Sequence, residues 1–326
     1  MKRSFICFLL LAFLLSGCKI QENIETDSRP APEQDSGPVQ SDISEESGVT
    51  EENHDDTVPG DIPEEFGLTE QNYDDIVPKG ISAASDLYQR AKEMSLRYNV
   101  DIRIADQCQL DYSHYSSYEV NDRASITHAL DELETALSTY PEGFFRQLCY
   151  GDIRRIQIEL VGGLTAKEGS GVGDAAAFAQ ELSGYYLLVA DVFTTYSWSY
   201  YHEFTHILDN RLAWDTCLRA DALFSEDTWA ALQPKGFQYA MSYTDMPDSV
   251  RKYVNSGYFM AEYSCTFPTE DRATMMEAAM TNATYEFQTK PGLRAKLEYY
   301  CRCIRDCLNT DGWPEMTAWE TILADN

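Results

Sequence analysis

The chain has 326 residues, a formal net charge of −29 at pH 7 and a sequence pI near 4.4. This acidic excess argues against a nucleic-acid partner, because binding to a phosphate backbone requires clustered Lys and Arg side chains. A hydrophobic fraction of 44% in a chain of this length is sufficient for a sizeable folded core.

The N-terminus has the features of a bacterial lipoprotein signal. Two basic residues are followed by an apolar stretch over 5–15, which is too short to span a bilayer, and then by Leu-Ser-Gly-Cys at 15–18. We predict a signal peptide over 1–17 and a lipid on Cys18. The mature protein is then tethered to the extracytoplasmic face of the cell membrane. An ordinary secretory signal cleaved nearby would leave a soluble product in the same compartment.

Residues 18–78 are rich in Glu, Asp, Ser, Pro and Gln and contain few aromatic residues. Such a composition cannot bury enough apolar surface to fold, so we predict a disordered acidic linker. More than half of the net negative charge lies in it, so the folded part of the chain is only moderately acidic. The folded domain is predicted to cover 79–326, and we expect it to be a monomer.

The domain begins with elements of both kinds and ends with helices. Apolar periodicity predicts helices over 83–98 and 125–138 and strands over 101–105, 155–160, 175–180 and 185–191. Further helices are predicted over 270–288 and 292–307. This order indicates an α+β fold, with a small mixed sheet lobe followed by a mainly helical lobe.

Between the two lobes lies the most informative motif of the chain. Residues 202–206 read His-Glu-Phe-Thr-His, within a predicted helix over 198–212 that contains no Pro or Gly. On a helix, residues four apart project from the same face, so His202 and His206 can bind one metal ion with Glu203 beside it. The motif predicts a Zn²⁺ site.

A catalytic zinc ion needs a third protein ligand, which must come from elsewhere in the chain. Thr269 is a good N-cap after Pro268, so Glu270 and Asp271 fall in the first turn of a later helix, where one carboxylate can face the metal. Acidic residues in a first turn can also simply complement the helix dipole.

At these residues the chain resembles the gluzincin peptidases, and among them the catalytic domain of anthrax lethal factor. The resemblance covers about 185–280 and implies a zincin-like fold. It implies His202, His206 and Glu270 as metal ligands, Glu203 as general base and Tyr263, seven residues before Glu270, as the hydroxyl that supports the oxyanion.

Two departures and two alternatives accompany the resemblance. The spacing from the second His to the proposed Glu is longer here, and Thr274 stands where lethal factor has a second Glu. Glu262 and Asp271 are the alternative third ligands. Asp209, three residues after His206, can hold a ligand imidazole by a hydrogen bond or can be a solvated helix-end carboxylate.

The predicted activity is hydrolysis of peptide bonds. Zinc lowers the pKa of its bound water, and Glu203 can take that proton and pass it to the leaving amine. We expect a peptide to bind by strand addition at an open edge of the strand over 185–191. The competing interpretation is a non-catalytic surface lipoprotein that keeps the peptidase fold or carries the motif by accident.

Nine cysteines give less information than their number suggests. Cys7 lies in the predicted signal and Cys18 carries the predicted lipid, which leaves seven. Because seven is odd, at least one thiol has no disulfide partner. Buried thiols and one or two disulfides are both compatible with the sequence.

Overall fold

The computed structural model describes residues 67–69, 72–73 and 86–324. The predicted signal peptide and Cys18 lie outside these residues. So does most of the predicted linker. In the described part of the chain, no helix is both long and apolar enough to cross a membrane.

The N-terminal part alternates helices and strands. Its elements are α1 (Asp86–Tyr98), β1 (Asp101–Ile104), β2 (Tyr115–Tyr118), α2 (Arg123–Leu137) and the short α3 (Phe144–Gln147). Asp122 caps α2 by accepting a hydrogen bond from the backbone N–H of Ser125. Strand β2, which the sequence did not predict, is half-exposed and too short to show a clear alternation.

Three longer strands complete the sheet: β3 (Arg155–Ala166), β4 (Ala177–Leu182) and β5 (Tyr185–Asp191). The strand order is β1-β3-β5-β4, in which β1, β3 and β5 run parallel, β4 runs antiparallel, and β2 pairs with β3. A tight turn with Gly184 at φ 89° joins β4 to β5. The mixed sheet agrees with the prediction.

The predicted open edge on β5 is wrong. Strand β5 pairs with β3 on one side and with β4 on the other, so β5 is an inner strand, and among the described strands β4 lies at this edge of the sheet and β1 at the other. The sequence could not show this, because pairing between β5 and the distant β3 leaves no local pattern. Strand β5 is buried on both faces: Leu188 faces the main core, while Leu187 and Val189 face a smaller cluster.

The C-terminal part is helical. Its elements are α4 (Ser197–Leu218), α5 (Glu226–Ala231), α6 (Asp248–Arg251), α7 (Pro268–Met280), α8 (Thr284–Thr289), α9 (Pro291–Cys307) and α10 (Ala318–Ala324). The helix predicted over 270–288 is in fact two helices, because Asn282 adopts a left-handed φ of 57° after Met280 and ends α7. A sheet part followed by a helical part confirms the α+β fold.

Two short pieces of the predicted linker contact α1. Tyr73 is fully buried in a small cluster with Tyr88, and the backbone N–H of Leu68 donates a hydrogen bond to Asn99 Oδ1 at 2.8 Å. Apolar side chains in an otherwise acidic stretch account for these contacts. The part of the chain that packs on α1 therefore begins before residue 79.

Candidate active site

Helix α4 carries the His-Glu-x-x-His motif through the interior of the molecule. The carboxylate of Glu132 in α2 accepts a hydrogen bond from the backbone N–H of Ser197, the first residue of α4, and so satisfies one of its unpaired donors. His202, Glu203 and His206 are each at most 1% exposed. The helix that the sequence predicts is confirmed and extends six residues further, to Leu218.

Glu270 is the carboxylate that meets the two histidines. Its Oε2 atom lies 3.1 Å from His202 Nε2 and 3.7 Å from His206 Nε2. Each of the three residues offers one atom that could bind a metal ion, and these three atoms lie within 4.8 Å of one another. All three side chains are buried. Two histidines from one helix and a glutamate from a second helix thus converge on one point.

The start of α7 explains why Glu270 reaches this point. Pro268 occupies the first turn of α7, where a missing N–H costs nothing, and Glu270 follows two residues later on the side that packs against α4. The alternatives lie elsewhere. Glu262 pairs with Arg251 on the surface, while both oxygens of Asp271 accept hydrogen bonds from the buried Lys296.

The residues fit a metal ion. Among the described residues, neither ring nitrogen of His206 has a hydrogen-bond partner, although the side chain is buried. A buried imidazole without a partner is costly, and a cation between Nε2 and the facing carboxylate of Glu270 would supply a partner for Nε2. Two imidazoles and one carboxylate are also a donor set that Zn²⁺ uses in hydrolytic enzymes.

The two imidazoles differ in the direction in which their surroundings shift the pKa. Burial acts to lower the pKa of His202, but hydrogen bonds to Glu270 and Glu277 outweigh it and raise that pKa to about 10. Burial, together with the neighbouring charge of His202, holds the pKa of His206 well below its usual value. The surroundings of the two imidazoles therefore shift their pKa values in opposite directions.

Two tyrosines lie beside the cluster. The predicted Tyr263 belongs to a short 3₁₀ turn, and its ring centroid is 6.2 Å from that of His202. Tyr243, which the sequence did not predict, donates its hydroxyl hydrogen to Glu270 Oε1 at 3.0 Å and packs its ring on Phe267. It comes from a loop with no regular pattern, so the sequence held no signal for it.

Asp209 contacts α7 and α9 and not an imidazole. Its Oδ2 accepts a hydrogen bond from Arg272 Nε at 2.7 Å, and its Oδ1 accepts one from the Tyr300 hydroxyl. The carboxylate that hydrogen-bonds a ligand imidazole is instead Glu277. Its Oε2 atom lies 3.2 Å from His202 Nδ1. Glu277 stands seven residues after Glu270, on the same face of α7, and that spacing was the signal which could have found it.

Comparison with known proteins gives limited information. No protein-family profile and no curated protein matches the chain. A similar solved structure is the crystal structure of "a putative zinc-binding metallo-peptidase from Bacteroides caccae", with 16% sequence identity and a TM-score of 0.47. The similarity covers 76% of this chain and 94% of that one. The assignment of the site therefore rests on this chain's own residues.

Proposed function

We propose that this protein is a zinc-dependent peptidase with a zincin-like site. One observation carries the proposal: donor atoms of His202, His206 and Glu270 lie within 4.8 Å of one another in a buried cluster, and Glu203 stands on the same helix between the two histidines. A chance His-Glu-x-x-His sequence has no reason to meet a buried carboxylate from a helix more than sixty residues away.

The roles of the residues follow from their chemistry. His202, His206 and Glu270 would hold the metal ion, and Zn²⁺ at such a site supplies an acidic water molecule and a positive charge for a developing oxyanion. Glu203 would accept the proton of the attacking water and donate it to the leaving nitrogen. Its carboxylate is close enough to His202 and to Tyr243 to raise the pKa of both side chains.

Tyr263 would assist the oxyanion. Its ring lies beside His202, and a phenol hydroxyl is a suitable donor to an oxygen that gains negative charge. The resemblance to lethal factor assigns this role to the same tyrosine. Tyr243 would act differently, because its hydroxyl donates to the proposed ligand Glu270.

The substrate would be an extended peptide. Strand β4 is one of the two outer strands of the order β1-β3-β5-β4 and packs against α4, so a peptide paired with it would run along the helix that carries the motif. Backbone pairing of this kind is compatible with many side chains. It supports a peptide as the class of substrate and leaves the cleavage preference to the cleft walls.

The place of action would be the outer face of the bacterial cell membrane. The basic start, the apolar stretch and the Leu-Ser-Gly-Cys box support a lipid on Cys18, and the acidic stretch after it would separate the folded domain from the bilayer. A Cys18→Ser variant, expressed in a bacterium that processes lipoproteins, should lose the lipid and leave the membrane fraction.

The peptidase proposal is tested with a Glu203→Gln variant. Wild type and variant are loaded with zinc and incubated with a proteome-derived peptide library, and new termini are identified by mass spectrometry. We expect both to bind one zinc ion per chain, and the variant to cleave about 10²–10⁴-fold more slowly, the usual contribution of a general base.

Three results would contradict the proposal. If the variant cleaved as fast as wild type, Glu203 would not be the general base. If the zinc-loaded wild type cleaved no peptide at all, the protein would be a non-catalytic metal-binding lipoprotein. If the wild type bound no zinc, the proposed metal site would be wrong.

A further inference from the structure

The imidazole of His202 lies between two carboxylates of the same helix. Its Nε2 atom is 3.1 Å from Glu270 Oε2, and its Nδ1 atom is 3.2 Å from Glu277 Oε2. Glu270 and Glu277 are seven residues apart on α7, which places them on one face of the helix, about two turns from each other. The ring is therefore fixed at both of its nitrogen atoms by α7.

His206 has no such support. In the part of the chain that the structure describes, its Nδ1 atom has no hydrogen-bond partner. Both histidines are buried to the same degree, so burial does not explain the difference. Among the described residues, a polar side chain lies at the Nδ1 atom of His202 and none is hydrogen-bonded to the Nδ1 atom of His206.

Resting on the proposed zinc site, we propose that Glu277 is a positioning residue that orients His202 for metal binding. An imidazole that binds a metal ion through Nε2 carries its proton on Nδ1. A carboxylate at Nδ1 accepts that proton's hydrogen bond, selects this tautomer and holds the ring plane toward the metal. The contact from Glu277 is directed at that atom.

Glu277 lies about two helical turns after Glu270, and the residue one turn after Glu270 is Thr274. Thr274 has its hydroxyl bonded to the backbone oxygen of Glu270 and to Ser264, so it is directed away from the imidazole. A carboxylate one turn further along α7 reaches His202 instead. Its side chain is 29% exposed, so Glu277 reaches His202 from the edge of the buried cluster.

A rival explanation predicts the opposite effect. If Glu277 merely pairs with a charged His202 in the metal-free protein, the pair has to be broken before a cation can bind. Removing Glu277 would then strengthen zinc binding. A positioning role requires that its removal weakens zinc binding, so the sign of the change separates the two.

The experiment measures zinc affinity of the folded domain by competition with a chelating indicator at constant pH. It compares wild type, Glu277→Ala, Glu277→Gln and the matched control Glu286→Gln. Glu286 is similarly exposed, at 32%, and forms an ion pair with Lys290 away from the cluster. Cobalt-substituted samples supply a second readout, since their absorption bands report the geometry of the ligands.

We expect Glu277→Ala to weaken zinc binding about 10–100-fold and to alter the cobalt spectrum. Glu277→Gln keeps an oxygen acceptor, so it should recover most of the affinity. The metal-free Glu277→Ala variant should remain folded and unfold cooperatively, although it loses the contact between Glu277 and His202. Zinc binding by wild type with equal or tighter binding by Glu277→Ala would overturn the inference alone, whereas no zinc binding by wild type would overturn the proposed function as well.

Discussion

Arg272 and Asp209 form a buried ion pair that joins the two helices of the candidate site. Arg272 Nε lies 2.7 Å from Asp209 Oδ2, and the two side chains are 2% and 4% exposed. Asp209 follows His206 by three residues on α4, and Arg272 follows Glu270 by two residues on α7. The pair therefore fixes the relative position of the two helices within one turn of the proposed ligands.

Replacing Arg272 by Met should destabilise the fold. The change leaves Asp209 buried with the Tyr300 hydroxyl as its remaining hydrogen-bond donor, and breaking a buried pair in this way costs about 3–5 kcal/mol. The measurement is urea unfolding of the metal-free domain. We also expect weaker zinc binding, because α7 would no longer be held against α4 at this point.

A control is Arg123→Met. Arg123 of α2 pairs with Asp86 of α1, and the two side chains are 64% and 67% exposed, so the pair contributes little to the free energy of unfolding. If Arg272→Met cost no more than this control, the buried pair would not hold the two helices together.

Replacement of Tyr263 should lower kcat, whereas replacement of Tyr243 should weaken zinc binding. Tyr263→Phe removes a donor near the reacting carbonyl, so we expect kcat to fall about 10²-fold with unchanged zinc affinity. Tyr243→Phe removes the donor to Glu270 Oε1, so we expect about 10-fold weaker zinc binding. Tyr285→Phe, at a side chain that is 72% exposed, is the control. Equal effects of the first two changes on both quantities would contradict this division of roles.

Most of the helices and strands could be predicted from local patterns in the sequence. The strand over 185–191 is confirmed at both ends, and helix α4 was predicted from its apolar spacing, because hydrophobic periodicity and helix breakers act over a few residues. The order of strands was not predictable in the same way. That β4 and not β5 is an outer strand depends on contacts between distant segments, which leave no periodic pattern in the sequence.

The candidate site likewise has residues that local spacing predicts and residues that only the fold brings together. The histidines share a helix, so their spacing alone placed them together. Glu270 required the fold, and the structure separates it from its neighbour Asp271, which faces Lys296. Tyr243 reaches the cluster from a loop held by backbone hydrogen bonds of Ala240 and Met241 to residues 265 and 266. Irregular backbone of this kind has no sequence signature.

The cysteines should be reduced and mostly inert. None of the seven described cysteines forms a disulfide in the structure, and burial raises the pKa of Cys149 and Cys307 to about 12. Because the thiolate is the reactive form, such thiols react slowly. Cys217 is exposed. We expect Ellman's reagent to find one fast thiol in the native domain and seven in denaturant without reductant.

A Cys217→Ser variant should lose the fast reaction and keep the slow ones. A disulfide-linked peptide in a non-reducing digest of the domain would contradict the prediction. The outcome also decides between the buried thiols and the disulfides that the odd cysteine count left open.

Removal of the metal ion should lower the melting temperature. A cation held by His202, His206 and Glu270 binds the folded state only, because in the unfolded chain the ligands from α4 and α7 are far apart. At a free zinc concentration of about 1,000 times Kd, the linkage contributes about 4 kcal/mol to the free energy of unfolding. Calorimetry of the domain with chelator and with added zinc measures this difference. The Glu203→Gln variant keeps all three ligands and should show the same rise as wild type, whereas His206→Asn should show little or none. An unchanged melting temperature of the wild type on adding zinc would contradict a metal site that joins the two helices.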